Sequence, residues 1–232
     1  IVKRTLLEEF KNIRQSGKIC ITLREDDELI AVKKTNGNSI VMLGSSNGRM
    51  VKFNENEVRI MGRTASGVKG IELDGSECIG AEVASDNDVI LIVTKKGYGK
   101  QTSVSEYRET KRGSKGVKAL SITEKNGDIA SFKVTHPDTD VVIITDSGMV
   151  MRMPLEQISL LGRVTQGVRL INLKNEQSVA TISLVDKEKE EENNSEIIVD
   201  SNKLNDDFID KNVENVDNDV PRETSTVENV NN

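Results

Sequence analysis

The chain repeats itself about every fifty residues, and that period constrains its fold more than any other feature. Gly48, Gly97 and Gly148 form one series, spaced by 49 and 51 residues. Gly17, Gly67, Gly116 and Gly167 form a second, spaced by 50, 49 and 51. A fixed period of this length marks an array of supersecondary units, such as a solenoid or a propeller, in which each unit buries its apolar face on its neighbours.

Every full unit has the same order. An apolar, β-branched run opens it: Ile40–Leu43, Val89–Val93 and Val141–Ile144. A short turn follows, ending on Gly48, Gly97 or Gly148, where glycine accepts the positive φ of a tight hairpin. A return strand comes next, over Arg49–Phe53, Tyr98–Val104 and Met149–Leu155. A loop then reaches the second glycine and a third strand at Val68–Leu73, Val117–Ile122 and Val168–Leu173. Another polar turn precedes a fourth, at Cys78–Val83, Ile129–Val134 and Val179–Leu184. The first unit lacks its opening strand and supplies only Ile1–Leu6, Lys18–Leu23 and Glu28–Lys33. Leu6–Ile13 fits barely two helical turns and is the only competing helix.

The pattern predicts an all-β, propeller-like array of four-stranded blades over 1–35, 36–85, 86–137 and 138–185, the first incomplete. An open array leaves an unpaired strand edge. That edge, and an N-terminus that starts inside a strand-like pattern without Met, lead us to expect a piece of a longer polypeptide.

Charge divides the chain. Residues 186–232 carry 15 acidic and 5 basic side chains, leaving 23 acidic and 27 basic over 1–185. The acidic segment has few apolar residues and reads as a disordered tail, because it buries too little to offset its ordering entropy. Folded back on the basic body, such a tail could compete with an anionic partner. Cys20 and Cys78 form no CxxC pair and sit in apolar runs, which predicts buried, reduced thiols. His136 lies in a turn-like His-Pro-Asp stretch. No window approaches 18 consecutive apolar residues, so no membrane-spanning helix is expected.

The cations follow the repeat. Four residues past the hairpin glycine stand Lys52 and Arg152, with Lys100 one place earlier and Arg4 at the same place in the first unit. Four residues before the second glycine stand Arg63, Arg112 and Arg163; two after it stand Lys69, Lys118 and Arg169, with Lys18 one after in the first unit. Surface strands carry Lys and Arg for solubility, but solubility does not require register. Equivalent positions of successive blades share a rim, and a curved stripe of cations suits a bent phosphate backbone. The run Thr110–Gly116 adds Lys111, Arg112 and Lys115 among two glycines, a flexible cationic loop without the spacing of a nucleotide-binding Walker loop.

Three motifs carry a family resemblance: Gly62-Arg63-Thr64-Ala65-Ser66-Gly67-Val68-Lys69-Gly70-Ile71, Gly97-Tyr98-Gly99-Lys100 and Gly162-Arg163-Val164-Thr165-Gln166-Gly167-Val168-Arg169-Leu170-Ile171. In this order they resemble the DNA gyrase A C-terminal domain, over Ile1 to about Val185. The corresponding domain of topoisomerase IV is the nearer alternative. The resemblance implies a β-pinwheel whose blades exchange strands with neighbours. It implies a domain that binds double-stranded DNA and wraps it with positive hand, so that an ATP-driven parent enzyme introduces negative supercoils. The family's hallmark heptapeptide Gln-Arg-Arg-Gly-Gly-Lys-Gly does not occur here. Thr110–Gly116 matches it at Arg112, Gly113, Lys115 and Gly116 and departs at Thr110 and Ser114. The same resemblance implies no catalytic residue and no cofactor in this chain. The parent's ATP and Mg would act through the gyrase B protein and through the cleavage core. Its implied partners are the gyrase B protein and a second gyrase A protein in an A2B2 complex, in the bacterial cytoplasm with the nucleoid.

Two other readings compete. A protein-interaction propeller would show an exposed apolar or aromatic patch, and aromatics are only 3% of the chain. An enzyme would need a catalytic constellation. The adjacent carboxylates Glu8-Glu9 and Asp26-Asp27 sit on polar turns, and neither a Ser/His/Asp nor a Cys/His set is present.

Overall fold

Alternation along one strand explains how the array packs. The computed structural model describes residues 1–174 and 176–187. Strand β4 (Val89–Thr94) sends Ile90 and Ile92 into one core and Leu91 and Val93 into another. Successive side chains of a strand point to opposite faces, so a continuous apolar run belongs to a sheet covered on both sides. One cluster joins Ile90 and Ile92 to Met42, Met50, Phe132 and Tyr107, and the other joins Leu91 and Val93 to Val141, Ile143 and Ile182. A third cluster holds Leu43, Val51 and Phe53, with Val2 and Val68 packed against it.

Each complete unit builds a hairpin and a closing strand. β1 (Ile40–Ser45) pairs with β2 (Arg49–Asn54) and β3 (Cys78–Ala84). β4 pairs with β5 (Tyr98–Ser103) and β7 (Ile129–Thr135). β8 (Thr139–Thr145) pairs with β9 (Val150–Pro154) and β11 (Val179–Asp186). Gly48, Gly97 and Gly148 hold φ of +85, +78 and +81, as the hairpins require.

The fourth strand of a sheet comes from the next unit. β6 (Val117–Lys118) pairs with β2, and β10 (Val168–Arg169) pairs with β5. Val2 makes the same antiparallel bridge with Val68. This is the neighbour exchange that the resemblance implied. Among the described residues the last sheet, β11-β8-β9, has three strands.

Several sequence expectations need correction. The third strands shrink to two residues or one bridge, because the chain then crosses the partner hairpin: Ala119 N–H donates to Gly48 O at 2.8 Å and Leu170 N–H to Gly97 O at 2.9 Å. In the first unit Ile1–Leu6 forms, among the described residues, only the bridges at Val2 and Arg4. Lys18–Leu23 and Glu28–Lys33 are not strands, since no described strand lies where their partners would be. The short helix is one 3-10 turn, Leu7–Phe10, and further 3-10 turns follow the return strands at Glu55–Glu57, Val104–Glu106 and Leu155–Gln157. Asp186 closes β11, and the acidic tail expected beyond it lies outside the described residues from 188 onward. Cys20 is exposed rather than buried, because its segment has no covering strand; Cys78 is partly buried, which raises its thiol pKa.

A buried carboxylate fixes the start of β1. Glu55 accepts from Thr35 Oγ1 at 2.7 Å and from the Gly37 and Ser39 N–H groups at 2.8 Å each. Burial alone would raise its pKa, but these hydrogen bonds prevail and hold it below the usual carboxylate value.

Candidate nucleic-acid interface

The strand exchange brings cations of consecutive units together. The Arg112 guanidinium donates from Nη1 to Lys69 O at 3.0 Å, and that of Arg163 donates to Lys118 O. Arg63 does the same to Ile19 O. Each arginine therefore reaches back to the carbonyl two residues past the preceding unit's glycine, which places Arg112 beside Lys69 and Arg163 beside Lys118. A carbonyl satisfies a guanidinium N–H without cancelling its charge, so the positive potential survives the anchoring.

Two glutamates that the sequence reading did not single out hold these loops. Glu57 Oε2 accepts the Arg112 N–H at 3.0 Å, and Glu106 Oε2 accepts the Arg163 N–H at 2.7 Å. Both stand nine residues past a hairpin glycine, so counting offsets for acids as well as bases would have found them. Thr110–Gly116 is consequently pinned rather than flexible. Thr110 N–H donates to Lys52 O at 2.7 Å, Gly113 N–H to Gly70 O at 2.5 Å, and Ser114 O accepts from Glu72 N–H at 2.9 Å.

Other cations of the expected stripe lie elsewhere. Lys52 and Lys100 are buried, which corrects their placement on the rim. Lys52 Nζ meets Asp86 and lies 3.4 Å from Val104 O. Lys100 Nζ donates to Gly162 O and Arg163 O at 2.7 Å each, and burial pushes its pKa down to about 8. Lys3, at the equivalent place in the first unit, donates to Cys20 O at 2.6 Å and to Arg63 O; burial lowers its pKa too. The half-buried Lys3 and the buried Lys100 thus fasten the Arg63 and Arg163 loops. Arg4 bonds Asn56 Oδ1 at 2.7 Å and lies 3.5 Å from Glu55. Arg152 bonds Asp140 at 2.8 Å and Asp186 O at 3.2 Å. The cations along the return strands therefore serve the interior and local carboxylates.

The surface set divides further. Lys69 pairs with Glu72, and Lys115 with Asp74 at 2.9 Å. Hydrogen bonds from these lysines keep both carboxyls below their usual pKa. Lys18 Nζ clips the carbonyls of Glu9 and Lys11, at 3.0 and 2.7 Å. Lys111 and Lys118 are exposed, with no ion pair among the described residues. Arg169 is held by the Tyr98 hydroxyl at 2.8 and 3.1 Å, and it and Lys125 lie 5.3 and 5.6 Å from that ring. Lys96, Lys125, Arg169 and Lys174 line a cleft of about 280 Å³ beside Tyr98. Sequence reasoning also missed Arg59 and Arg108, both exposed and eleven residues past Gly48 and Gly97. Among the described residues no group of three or more His, Cys, Asp or Glu side chains gathers as a metal site. No helix there is long and apolar enough to cross a membrane.

Comparison with known proteins agrees with this geometry. Residues 1–36, 39–85, 88–136 and 139–186 match the family described as DNA gyrase C-terminal domain, beta-propeller. The DNA gyrase A protein of Staphylococcus aureus strain MRSA252 is 44% identical over 199 residues, covering 84% of this chain and 22% of that protein. The chain thus spans about a fifth of the length of the curated relatives it matches. The crystal structure of a DNA topoisomerase IV C-terminal domain superposes with a TM-score of 0.75 at 26% identity, over 80% of this chain and 59% of the other. A DNA gyrase A C-terminal domain structure shares the fold, with a TM-score of 0.70 at 24% identity over 78% and 61% of the two chains. With all four repeat segments matched, the chain belongs to the DNA gyrase C-terminal domain family.

Proposed function

We propose that this chain is the DNA-binding and DNA-wrapping domain of a gyrase A protein, supporting ATP-dependent negative supercoiling. The observation that carries it is the recurring cation pair, Arg112 with Lys69 and Arg163 with Lys118, set by one hydrogen-bond rule in successive units. A duplex crossing such pairs exchanges condensed counterions for fixed cations. Little base readout is expected, because these cations offer contacts to the phosphate backbone, and duplexes are then selected by bendability. Bending tens of base pairs costs on the order of several kcal/mol, which requires cations spread over several units. The gyrase B protein, a second gyrase A protein, and the ATP and Mg of the parent act beyond this chain, in the bacterial cytoplasm with the nucleoid. The likeness to topoisomerase IV at 26% identity keeps that enzyme as the second reading; the 44% identity to gyrase A favours the first.

A salt titration of duplex binding tests the proposal. Log affinity falls steeply with log salt, by about 0.9 for each phosphate contact. Replacing Lys111, Lys118 and Arg169 together by Ala flattens the slope by about 2 to 3. A shallow wild-type slope, or one untouched by the triple change, defeats the reading.

A further inference from the structure

Four cations from four separate segments gather around one buried phenol. Lys96 comes from the β4–β5 hairpin, Lys125 from the turn before β7, Arg169 from β10 and Lys174 from the turn before β11, and all line the cleft of about 280 Å³ beside Tyr98. Among the described residues Glu176 is the one carboxylate lining it, which leaves a net of three positive charges. Like charges in so small a space repel, and the apolar wall of Ile171 and Leu173 strengthens their field.

The repeat does not require this gathering. In the preceding unit Asn47, Arg49 and Thr123 hold the places of Lys96, Tyr98 and Lys174. The turn that carries Lys125, between Ile122 and Ile129, is two residues longer than the one between Leu73 and Cys78. Of the four cations Arg169 alone stands in the register of Lys69 and Lys118.

These groups are held in place and keep donors to spare. Asn126, 1% exposed, accepts the Thr123 N–H at 2.7 Å and donates to Ser121 O and, in the next unit, Gln166 O, at 2.9 and 3.0 Å, which fixes the turn beneath Lys125. Among the described residues the Lys125 and Lys174 ammonium groups have no hydrogen bond or ion pair; Lys125 meets only the Tyr98 ring. Arg169 has five N–H donors and spends three, two on the Tyr98 hydroxyl and one on Asn172 Oδ1. Tyr98 is 7% exposed. Its oxygen accepts both Arg169 bonds, yet among the described residues no atom accepts the phenol's own proton. Buried polar groups are ordinarily satisfied, so this hydroxyl calls for an acceptor in the cleft it lines.

We propose that the cleft binds an anion of linked phosphate groups, a diphosphate or triphosphate chain, whose oxygens accept from the Tyr98 hydroxyl, the remaining Arg169 N–H groups and the surrounding ammonium groups. Charge sets the length of the chain. A single phosphate group carries about −1.5 to −2, which leaves part of the excess positive charge standing; two or three linked groups neutralise it. Successive phosphates of a duplex carry one charge each and are separated by a sugar, so a duplex offers too little charge to one small cleft. The volume lies just under the range of about 300 to 1,000 Å³ for small-molecule sites, which admits a phosphate chain and leaves any attached group outside. Arg169 also belongs to the cations proposed to meet DNA, so a bound chain withholds that arginine from a duplex.

Isothermal titration calorimetry of the full chain, without nucleic acid or divalent cation, tests this independently of duplex binding. Inorganic triphosphate binds one per chain, and orthophosphate at least about tenfold more weakly. A nucleoside triphosphate of equal affinity assigns the site to the phosphate chain itself, and one of higher affinity assigns it to nucleotides; either upholds the cleft. Lys125→Ala with Lys174→Ala weakens triphosphate binding by about tenfold or more, and Tyr98→Phe, which keeps every charge, by roughly threefold to tenfold. Arg24→Ala with Lys34→Ala removes the same charge from exposed positions elsewhere and leaves the affinity unchanged. The lysine pair keeps the outcome decisive should Tyr98→Phe disturb β5. The proposal is overturned by a wild type that does not bind triphosphate, by equal losses in the two double variants, or by a Tyr98→Phe variant that binds as the wild type does.

Discussion

A lysine ammonium shut away from water has to find oxygen atoms, and Lys100 finds the carbonyls of Gly162 and Arg163. Its folded pKa of about 8 lies below the 10.5 of the free side chain. Between those values the unfolded chain binds a proton that the folded chain does not, so this group makes stability rise with pH. We expect the wild type to gain on Lys100→Met from pH 8 to 10.5, by at most on the order of 3 kcal/mol, in urea unfolding at the two pH values. A constant difference between the two proteins would mean that the ammonium keeps its water. The position was readable in part: three residues past the other hairpin glycines stand Val51 and Met151, an apolar series that Lys100 and Lys3 interrupt. A count of charges alone reads both lysines as surface residues, because nothing in composition tells a hydrated ammonium from one bonded to carbonyls.

At the scale of the element, the exchanged strand depends on glycine for two separate reasons, and the repeats separate them. Gly116 has a φ of +69, and an added Cβ would collide with Met50 O. Gly17 has a φ of +79 and open space around it. Gly17→Ala should cost only the left-handed conformation, about 1 kcal/mol. Gly116→Ala should cost roughly 4 kcal/mol or more, because backbone must move as well. Denaturant midpoints of the two variants check this, and equal losses would show that β6 is not tightly docked. The hairpins and closing strands were legible because their signals are local: β-branched runs, period-two burial and a turn glycine. The third strands were legible as apolar segments but not in length, since pairing lasts two residues and the partner lies in another unit. Lys18–Leu23 reads as a strand and is not one, since a strand is a property of two segments and only one is described.

Over the whole molecule the legible part of the interface was its period, and the illegible part was which cations stay free. Return-strand cations turned to carbonyls and carboxylates, while Arg59 and Arg108 stand exposed in register and were overlooked. If they extend the cationic track, Arg59→Ala with Arg108→Ala should flatten the salt slope of duplex binding by nearly 2, at about 0.9 each, with unfolding unchanged. An unchanged slope would confine the track to the rows containing Arg112 and Arg163.

The exchange of short strands has a mechanical consequence as well. A protease that nicks the exposed connector at Asp86-Asn87 would break the polypeptide without freeing either piece. Val117 and Lys118 of the downstream fragment stay stitched beside Met50 and Arg49 of the upstream one. Under pulling or digestion the links of this array behave like interlocked fingers, and each lets go only when its neighbour's sheet comes apart.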